Sequence, residues 1–187
     1  RLGGIKNCNP LLYNHNNIIT SLAFIDNETL MSSSSDGSVI IRDISSGRDD
    51  RIMEDTQIWD AAIMPDKESI LYVTNDKKAK IYNLKDKTTK ELYSGDKLLY
   101  SCAISANGEI IALGDKKGSI LIFDSENTET PKEINAHNAR ITDLKFNKND
   151  QILASVGFDG TARLYFTENF DKTPIVINDY SSWGMSL

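Results

Sequence analysis

Short runs in which apolar and polar residues alternate recur along the chain, and polar turn clusters separate them. The alternation is clear in Ile18–Phe24, Ile70–Thr74 and Ser119–Phe123, which are also rich in β-branched residues. Alternation with a period of two residues is typical of strands, because successive side chains point to opposite faces of a sheet. No stretch shows a sustained period of 3.6 residues with capping residues at its ends. We therefore predict that helices are nearly absent.

The strands belong to a unit that the chain carries four times. The segment from His15 aligns in register with the segment from His137, and weaker copies begin near Asp55 and Gly95. The closing positions of the four copies are separated by 40, 41 and 42 residues: Asp43, Asn83, Asp124 and Phe166. A repeat of this length indicates an architecture in which each unit packs on its neighbours.

Each copy is predicted to form four antiparallel strands, the fourth of which follows the closing position, as at Arg51–Met53. A single sheet of about 40 residues leaves two faces uncovered, so it must pack on copies of itself. Packing around a central axis also protects the strand edges. The predicted fold is therefore all-β: a β-propeller of four-stranded antiparallel blades.

These residues resemble the WD-repeat (WD40-type) β-propeller family, whose unit opens with Gly-His and ends with Trp-Asp. The resemblance covers almost the whole chain, as four degenerate repeats with partial repeats at both ends. No copy has an intact Trp-Asp, and the corresponding pairs are Arg42-Asp43, Tyr82-Asn83, Phe123-Asp124 and Tyr165-Phe166. The opening His position reads His15, Asp55, Asp96 and His137. The Asp of the tight turn between the second and third strands reads Asp36, Asp76, Lys117 and Asp159.

The resemblance implies a structural hydrogen-bond network in the better-preserved copies. In the family, a His, a Ser or Thr, the turn Asp and the Trp form a buried hydrogen-bond chain. The residues at these positions are His137, Ser155, Asp159 and Tyr165 in the fourth copy, and His15, Ser32 and Asp36 in the first. A catalytic or metal-binding role for the histidines is the alternative. Their recurrence once per repeat, with an Asp 21 or 22 residues later, favours the structural role.

The copies divide residues 1–187 into the blades of a single propeller segment. We expect whole blades at 18–53, 58–93, 98–134 and 140–177, and partial blades at 1–14 and 182–187. A WD-repeat ring usually has seven blades, which requires about 280 residues. The 187 residues are therefore expected to supply about four to five blades of a seven-bladed or larger ring, with the others outside this chain.

Composition excludes several classes of protein. With 40% apolar and 26% charged residues, the chain can bury a globular core. Its net charge of −6 argues against sequence-independent binding of nucleic acid, which requires a basic surface. The apolar runs are too short for a membrane-spanning helix. Cys8 and Cys102 are predicted to be free thiols, because a chain of this size does not need a disulfide to hold its core. No zinc or redox motif surrounds them.

The sequence has no motif typical of an active site. It lacks the glycine-rich phosphate loop, the zinc-protease helix motif and the nucleophile elbow, and its acidic residues fall mostly in predicted turns. We therefore predict that the protein is not an enzyme and has no catalytic residues, no metal site and no cofactor.

One face of the predicted propeller carries the candidate binding residues. The loop before each first strand and the turn between the second and third strands open on the face around the central channel, which in the family most often binds peptides or proteins. By register, the candidates are Gln57, Trp59, Asn75, Leu98, Tyr100, Lys116, Arg140 and Phe158. Trp59 and Tyr100 stand where other copies have Thr20 and Thr142, so the repeat itself does not require them. The alternative is that they cap a seam between blades.

Lysines in two neighbouring turns form a candidate basic rim: Lys77, Lys78, Lys116 and Lys117. Such a rim steers an acidic partner, although solvated turn lysines are the ordinary alternative. The sequence favours a non-catalytic scaffold that binds a partner peptide or protein, in a multi-subunit complex, in the cytoplasm or nucleus. The first alternative is a sensory or regulatory propeller domain of a larger signalling protein. A propeller enzyme or small-ligand binder is favoured less.

Overall fold

The structure is a computed structural model that describes residues 14–125 and 127–178. Every element of regular secondary structure in these residues is a β-strand. The strands form four separate sheets, each of four antiparallel strands paired in chain order. The prediction of an all-β propeller of four-stranded antiparallel blades is confirmed. Apart from residue 14, the expected partial blades at 1–14 and 182–187 lie outside the described residues, as does Cys8.

Each sheet is a simple meander, in which a strand pairs with the one that precedes it and the one that follows it. Blade 1 comprises β1 (Ile19–Phe24), β2 (Thr29–Ser34), β3 (Ser38–Asp43) and β4 (Asp49–Met53). Blade 2 comprises β5 (Ile58–Ile63), β6 (Ser69–Thr74), β7 (Lys78–Asn83) and β8 (Thr89–Ser94). Blade 3 comprises β9 (Leu99–Ile104), β10 (Ile110–Asp115), β11 (Ser119–Asp124) and β12 (Lys132–Asn135). Blade 4 comprises β13 (Ile141–Phe146), β14 (Ile152–Gly157), β15 (Ala162–Phe166) and β16 (Ile175–Ile177).

A hydrophobic cluster fills each junction between consecutive blades. Between blades 1 and 2 the buried residues include Met31, Val39, Ile58 and Tyr72. Between blades 2 and 3 they include Leu71, Val73, Leu99 and Phe123. Between blades 3 and 4 they include Ala112, Ile120, Ile141 and Leu144. Because side chains alternate along a strand, the two faces of an inner blade enter two different clusters, and the blades form a continuous core.

The uncovered face of β1 repeats the apolar pattern of these junctions. Leu22 is 63% exposed, whereas the residues at its position in the later blades, Ala61, Cys102 and Leu144, are 6%, 4% and 2% exposed. Cys102 is a free thiol. The uncovered face of β1 therefore carries an apolar residue, Leu22, at the position that packs against the preceding blade in blades 2 to 4. The seven-bladed ring stays a prediction.

A β-bulge interrupts the pairing of the first and second strands at the same place in every blade. In blade 2, Ile58 pairs with Thr74 and Asp60 pairs with Val73, so Trp59 has no partner residue. The residues at this position in the other blades are Thr20, Tyr100 and Thr142. A bulge bends its strand and redirects the side chain of the extra residue.

The turn between the second and third strands is fastened to the loop that enters the next blade. In blade 3 the carbonyl of Gly118 accepts hydrogen bonds from the backbone N–H groups of Ala136 and His137, at 3.0 and 2.8 Å. Gly118 has a φ of +94°, and a Cβ there would lie 2.2 Å from the carbonyl oxygen of His137. Only glycine fits both the left-handed backbone and this close approach.

Candidate functional site

Aromatic side chains from three blades and one arginine meet on the face where the bulges lie. The ring centroids of Trp59 and Tyr100, the bulge residues of blades 2 and 3, are 5.0 Å apart with an interplanar angle of 44°. The Cζ atom of Arg140 lies 4.5 Å from the centroid of the Tyr100 ring and 4.0 Å from that of the Phe158 ring. We call these four residues, Trp59, Tyr100, Arg140 and Phe158, the aromatic ladder.

The backbone holds the members of the ladder at matching positions of their blades. In blade 4 the N–H of Phe158 donates to the carbonyl of Arg140 at 2.9 Å, which brings these side chains together. In blade 2 the N–H of Asn75 donates to the carbonyl of Gln57 at 2.8 Å. The Nε1–H of Trp59 then donates to Oδ1 of Asn75 at 3.2 Å, which fixes the indole on this surface. The geometry of the ladder therefore follows from the bulges and from these loop pairings.

The other predicted surface residues lie around the ladder. Gln57 and Leu98 are partly buried in the loops that enter β5 and β9, and the carbonyl of Leu98 accepts a hydrogen bond from the N–H of Lys116 at 2.8 Å. The lysine side chains at three rim positions are exposed: Lys77, Lys116 and Lys117. Lys78 differs, because its Nζ pairs with Oε2 of Glu91 at 2.8 Å. The charge of Lys78 is thus directed to the outer strand of its own blade rather than to the rim.

Next to Trp59, the inner strands of three blades line a cavity of about 390 Å³. Its polar walls include Thr20 of β1, Asp60 of β5, and Asp143 and Lys145 of β13. Nζ of Lys145 lies 3.6 Å from Oδ2 of Asp143. The walls of this cavity therefore carry two carboxyl groups and one lysine.

Asp60 holds two blades together from inside this channel. Its Oδ2 accepts a hydrogen bond from the N–H of Cys102 in blade 3 at 2.9 Å, and its Oδ1 accepts one from the N–H of Ala61 at 2.8 Å. Burial raises the pKa of the Asp60 carboxyl to about 7; the negative charge of Asp143 adds to this increase, while the two hydrogen bonds and Lys145 oppose it. Burial also raises the pKa of the neighbouring Cys102 thiol.

Sequence reasoning missed Asp60 and Asp143 because it assigned the acidic residues to turns. Both lie inside inner strands at the same position of their blades, three residues after Gln57 and Arg140. A charged residue inside an otherwise apolar inner strand was the available signal, since such a group is rarely buried without partners.

The histidine of blade 4 lies at the centre of a buried hydrogen-bond network. Nδ1 of His137 is 2.9 Å from Oδ1 of Asp159, and Nε2 is 2.7 Å from Oγ of Ser155. Burial lowers the pKa of His137, which favours the neutral ring, so Nδ1–H donates to Asp159 and Nε2 accepts from the Ser155 hydroxyl. Burial tends to raise the pKa of Asp159, but hydrogen bonds from the Asn138 N–H, His137 and Thr161 lower it to about 2.

Blade 1 has a variant of this network. Nε2 of His15 is 2.8 Å from Oγ of Ser32, but Nδ1 is 2.9 Å from Oγ of Ser38. The Ser38 hydroxyl donates to Oδ1 of Asp36 at 2.6 Å, and Nδ1 of His15 also lies 3.4 Å from Oδ2 of Asp36, so the imidazole faces the carboxylate both through Ser38 and directly. Nη2 of Arg51 lies 3.2 Å from Oγ of Ser38 and 3.7 Å from Oδ2 of Asp36. Both histidines therefore lie in networks that fasten a loop to a turn.

Within residues 14–125 and 127–178, no group of three or more His, Cys, Asp or Glu side chains is arranged to hold a metal ion. The same part of the chain contains no helix that is long and apolar enough to cross a membrane.

Comparison with known proteins agrees with this geometry. The family model described as "WD domain, G-beta repeat" matches residues 6–43 and 128–165, the second of which contains the whole His137 network. These two segments match the WD repeat. The two matched WD repeats are those that keep the histidine and the turn aspartate.

Three relatives are similar to parts of the chain. Telomerase protein component 1 of Mus musculus is 26% identical over 79% of this chain and 6% of its own length. A ribosome biogenesis protein BOP1 homolog of Oryza sativa subsp. japonica is 25% identical over 63% of the chain and 18% of its own length. SEC12-like protein 2 of Arabidopsis thaliana is 35% identical over 38% of the chain and 18% of its own length. The chain thus spans a small part of each relative.

Blade 2 replaces the histidine network with a different one, and here the alignment of the copies was wrong. The loop pairing of Gln57 and Asn75 corresponds to that of Arg140 and Phe158, so Glu54 rather than Asp55 stands at the position of the histidine. Oε1 of Glu54 accepts a hydrogen bond from the Tyr72 hydroxyl at 2.6 Å, and Oε2 accepts one from Nζ of Lys80 at 2.6 Å.

Blade 3 departs further. The loop pairing places Gly95 rather than Asp96 at the position of the histidine, since Leu98 takes the place of Arg140. Asp115 organises the turn in place of the residue at position 117: its Oδ1 accepts hydrogen bonds from the N–H groups of Lys117 and Ser119, both at 2.8 Å.

Tyr165 contributes to the WD repeat of blade 4 by packing rather than by hydrogen bonding. It is 2% exposed and belongs to the hydrophobic cluster between blades 3 and 4. Among the described residues, no hydrogen bond joins it to Ser155, and the Thr161 hydroxyl is an unpredicted member that donates to Oδ1 of Asp159 at 2.8 Å. A phenol extends along the ring axis, so it does not reproduce the lateral N–H of the tryptophan that the family has at this position.

Proposed function

We propose that this chain is a non-catalytic interaction module that binds a peptide segment of a partner protein on its channel-facing surface, with the aromatic ladder as the main contact. The observation that supports this is the continuity of the ladder: four side chains from three blades touch in sequence, from Trp59 to Phe158. Trp, Tyr and Arg are the residue types that dominate the binding energy of protein interfaces.

The position of the ladder suits a shared binding surface better than a role within one blade. Two of its rings are bulge residues, and the bulges of blades 1 and 4 carry only threonines. Trp59 does pack against the cluster between blades 2 and 3, so part of its ring contributes to the seam. Tyr100 and Phe158 rest instead on the Arg140 guanidinium, and all three are only partly buried.

The test is affinity purification with the full-length protein, comparing the wild type with a Trp59→Ala, Tyr100→Ala double variant. Met53→Ala, which changes a 59% exposed apolar side chain on the outer strand of blade 1, is the matched control. We expect specific partners to be lost from the double variant and kept by the control, with the melting temperature within a few degrees of the wild type. Unchanged partners, or a large fall in melting temperature, would assign the ladder to packing.

We also propose that the module works inside a larger protein and a multi-subunit assembly, in the cytoplasm or nucleus. The relatives to which the chain is similar are much longer than the matched segments. Two of them are named as a telomerase component and a ribosome biogenesis protein, which supports an assembly role. Purification of the full-length protein under native conditions, with its mass measured, tests this proposal.

A further inference from the structure

The guanidinium of Arg140 makes no hydrogen bond within residues 14–125 and 127–178. It contacts the Tyr100 and Phe158 rings, but within the described residues it makes no ion pair, and its Nε is buried without a partner. An arginine side chain has five N–H donors in one plane, and leaving such donors unpaired at a partly buried site costs free energy.

The other partly buried arginines of the described chain show that this is unusual. Arg42 binds Asp49 through two hydrogen bonds, from Nε at 2.7 Å and from Nη2 at 2.6 Å. Within the described residues, Nε of Arg51 is also buried without a partner, but its Nη2 lies 3.7 Å from Asp36, and Nη2 of Arg163 lies 3.8 Å from Asp159. Each of these arginines therefore faces a carboxylate of the chain, and Arg140 faces aromatic rings instead.

The nearby carboxylates are engaged elsewhere. Asp159, which follows Phe158, accepts hydrogen bonds from His137, the Asn138 N–H and Thr161. Oδ1 of Asp143 accepts a hydrogen bond from the N–H of Leu144 at 2.9 Å. The rings that contact the guanidinium also reduce its access to water, which strengthens its interaction with an anion.

We propose that the bound partner places the carboxylate of an aspartate or glutamate side chain against the N–H edge of Arg140. This inference rests on the proposed function and names the chemistry of the partner at that surface. The planar guanidinium matches a carboxylate through two parallel hydrogen bonds. A phosphate is usually bound by a cluster of cations, whereas Arg140 is a single guanidinium and Lys116 and Lys117 are exposed turn residues. These lysines attract an acidic segment at longer range.

The test uses immobilised pools of peptides with random sequence and one fixed central residue: glutamate, glutamine or phosphoserine. The full-length wild-type protein should bind the glutamate pool about tenfold more tightly than the glutamine pool, which corresponds to one charge-assisted interaction. Arg140→Met should abolish this preference, because it removes the charge and keeps an unbranched stem. Arg140→Lys should retain only part of the preference for glutamate, since an ammonium group cannot form two parallel hydrogen bonds with a carboxylate.

Lys148→Met is the matched control, because it removes one positive charge from the exposed turn between β13 and β14 of the same blade and should preserve the preference for glutamate. Equal binding of the glutamate and glutamine pools to the wild type would overturn the inference, and so would an Arg140→Met variant that still prefers glutamate. Stronger binding of the phosphoserine pool would assign Arg140 to phosphate. If Arg140→Met still captures the partners that the ladder double variant loses, the proposed function stands and the carboxylate inference fails.

Discussion

The carboxyl group of Asp60 makes the stability of the propeller depend on pH in a direction that is unusual for an aspartate. Burial raises its pKa from an ordinary 3.8 to about 7. Between these two values the folded protein keeps the proton that the unfolded chain has lost. The contribution of Asp60 to stability is therefore fully present below about pH 4 and is lost as the pH rises through about 7.

The size of the effect follows from the pKa difference. A difference of this size corresponds to about 4 kcal/mol of unfolding free energy over the whole range. Between pH 5 and pH 8, the unfolding free energy should fall by about 2 to 3 kcal/mol because of Asp60 alone. His137 acts in the opposite direction, because its pKa is lowered by burial and the folded protein gains stability as the pH rises towards 6.5. Only a comparison with a variant isolates Asp60.

The assay is urea unfolding at several pH values between 5 and 8, for the wild type and for Asp60→Asn. Asparagine retains one acceptor oxygen and cannot ionise, so the difference in unfolding free energy between the two proteins should change by about 2 to 3 kcal/mol across this range. Asp55→Asn, which alters an exposed carboxyl in the loop before β5, should show a constant difference. Carbon-13 NMR of the Asp60 carboxyl should give a midpoint near 7.

A difference between wild type and Asp60→Asn that stays constant from pH 5 to pH 8 would refute this reasoning. It would mean that Asp60 is already ionised at pH 5, so that its hydrogen bonds from Cys102 and Ala61, together with Lys145, outweigh the cost of burial.

Two further predictions concern the network of blade 4 and the junctions between blades. Ser155→Ala should lower the unfolding free energy by about 1 to 3 kcal/mol, because it leaves Nε2 of the buried His137 without its hydrogen-bond partner; an unchanged midpoint in urea would contradict this. Leu144→Ala should lower the unfolding free energy by about 2 to 5 kcal/mol, since Leu144 is only 2% exposed in the junction between blades 3 and 4. Met53→Ala, on the outer strand of blade 1 and 59% exposed, should lower it by about 0.5 kcal/mol or less, and equal losses at the two positions would refute the assignment of Leu144 to the core.

Part of the candidate site could be predicted from the sequence because the repeat carries positional information. Once the copies were aligned, Trp59, Tyr100, Arg140 and Phe158 fell on one predicted face. What the alignment could not give was their mutual contact, because that depends on the bulge at each inner strand and on how far neighbouring blades are rotated. The place of Asp60 inside an inner strand could have been read from the sequence, but its environment could not, because the adjacent blade supplies the N–H of Cys102.

The all-β class, the four-stranded unit and its repetition follow from the sequence, since alternation with a period of two and turn residues are local properties of the chain. In the degenerate blades, the pairing of polar side chains became clear only in the folded structure. Glu54 with Tyr72 and Lys80, and His15 with Ser38, are pairs between residues far apart in sequence, and degenerate repeats permit more than one register for them. Local pattern fixes a strand, whereas a buried polar group takes whichever partner the folded blades bring within hydrogen-bond distance.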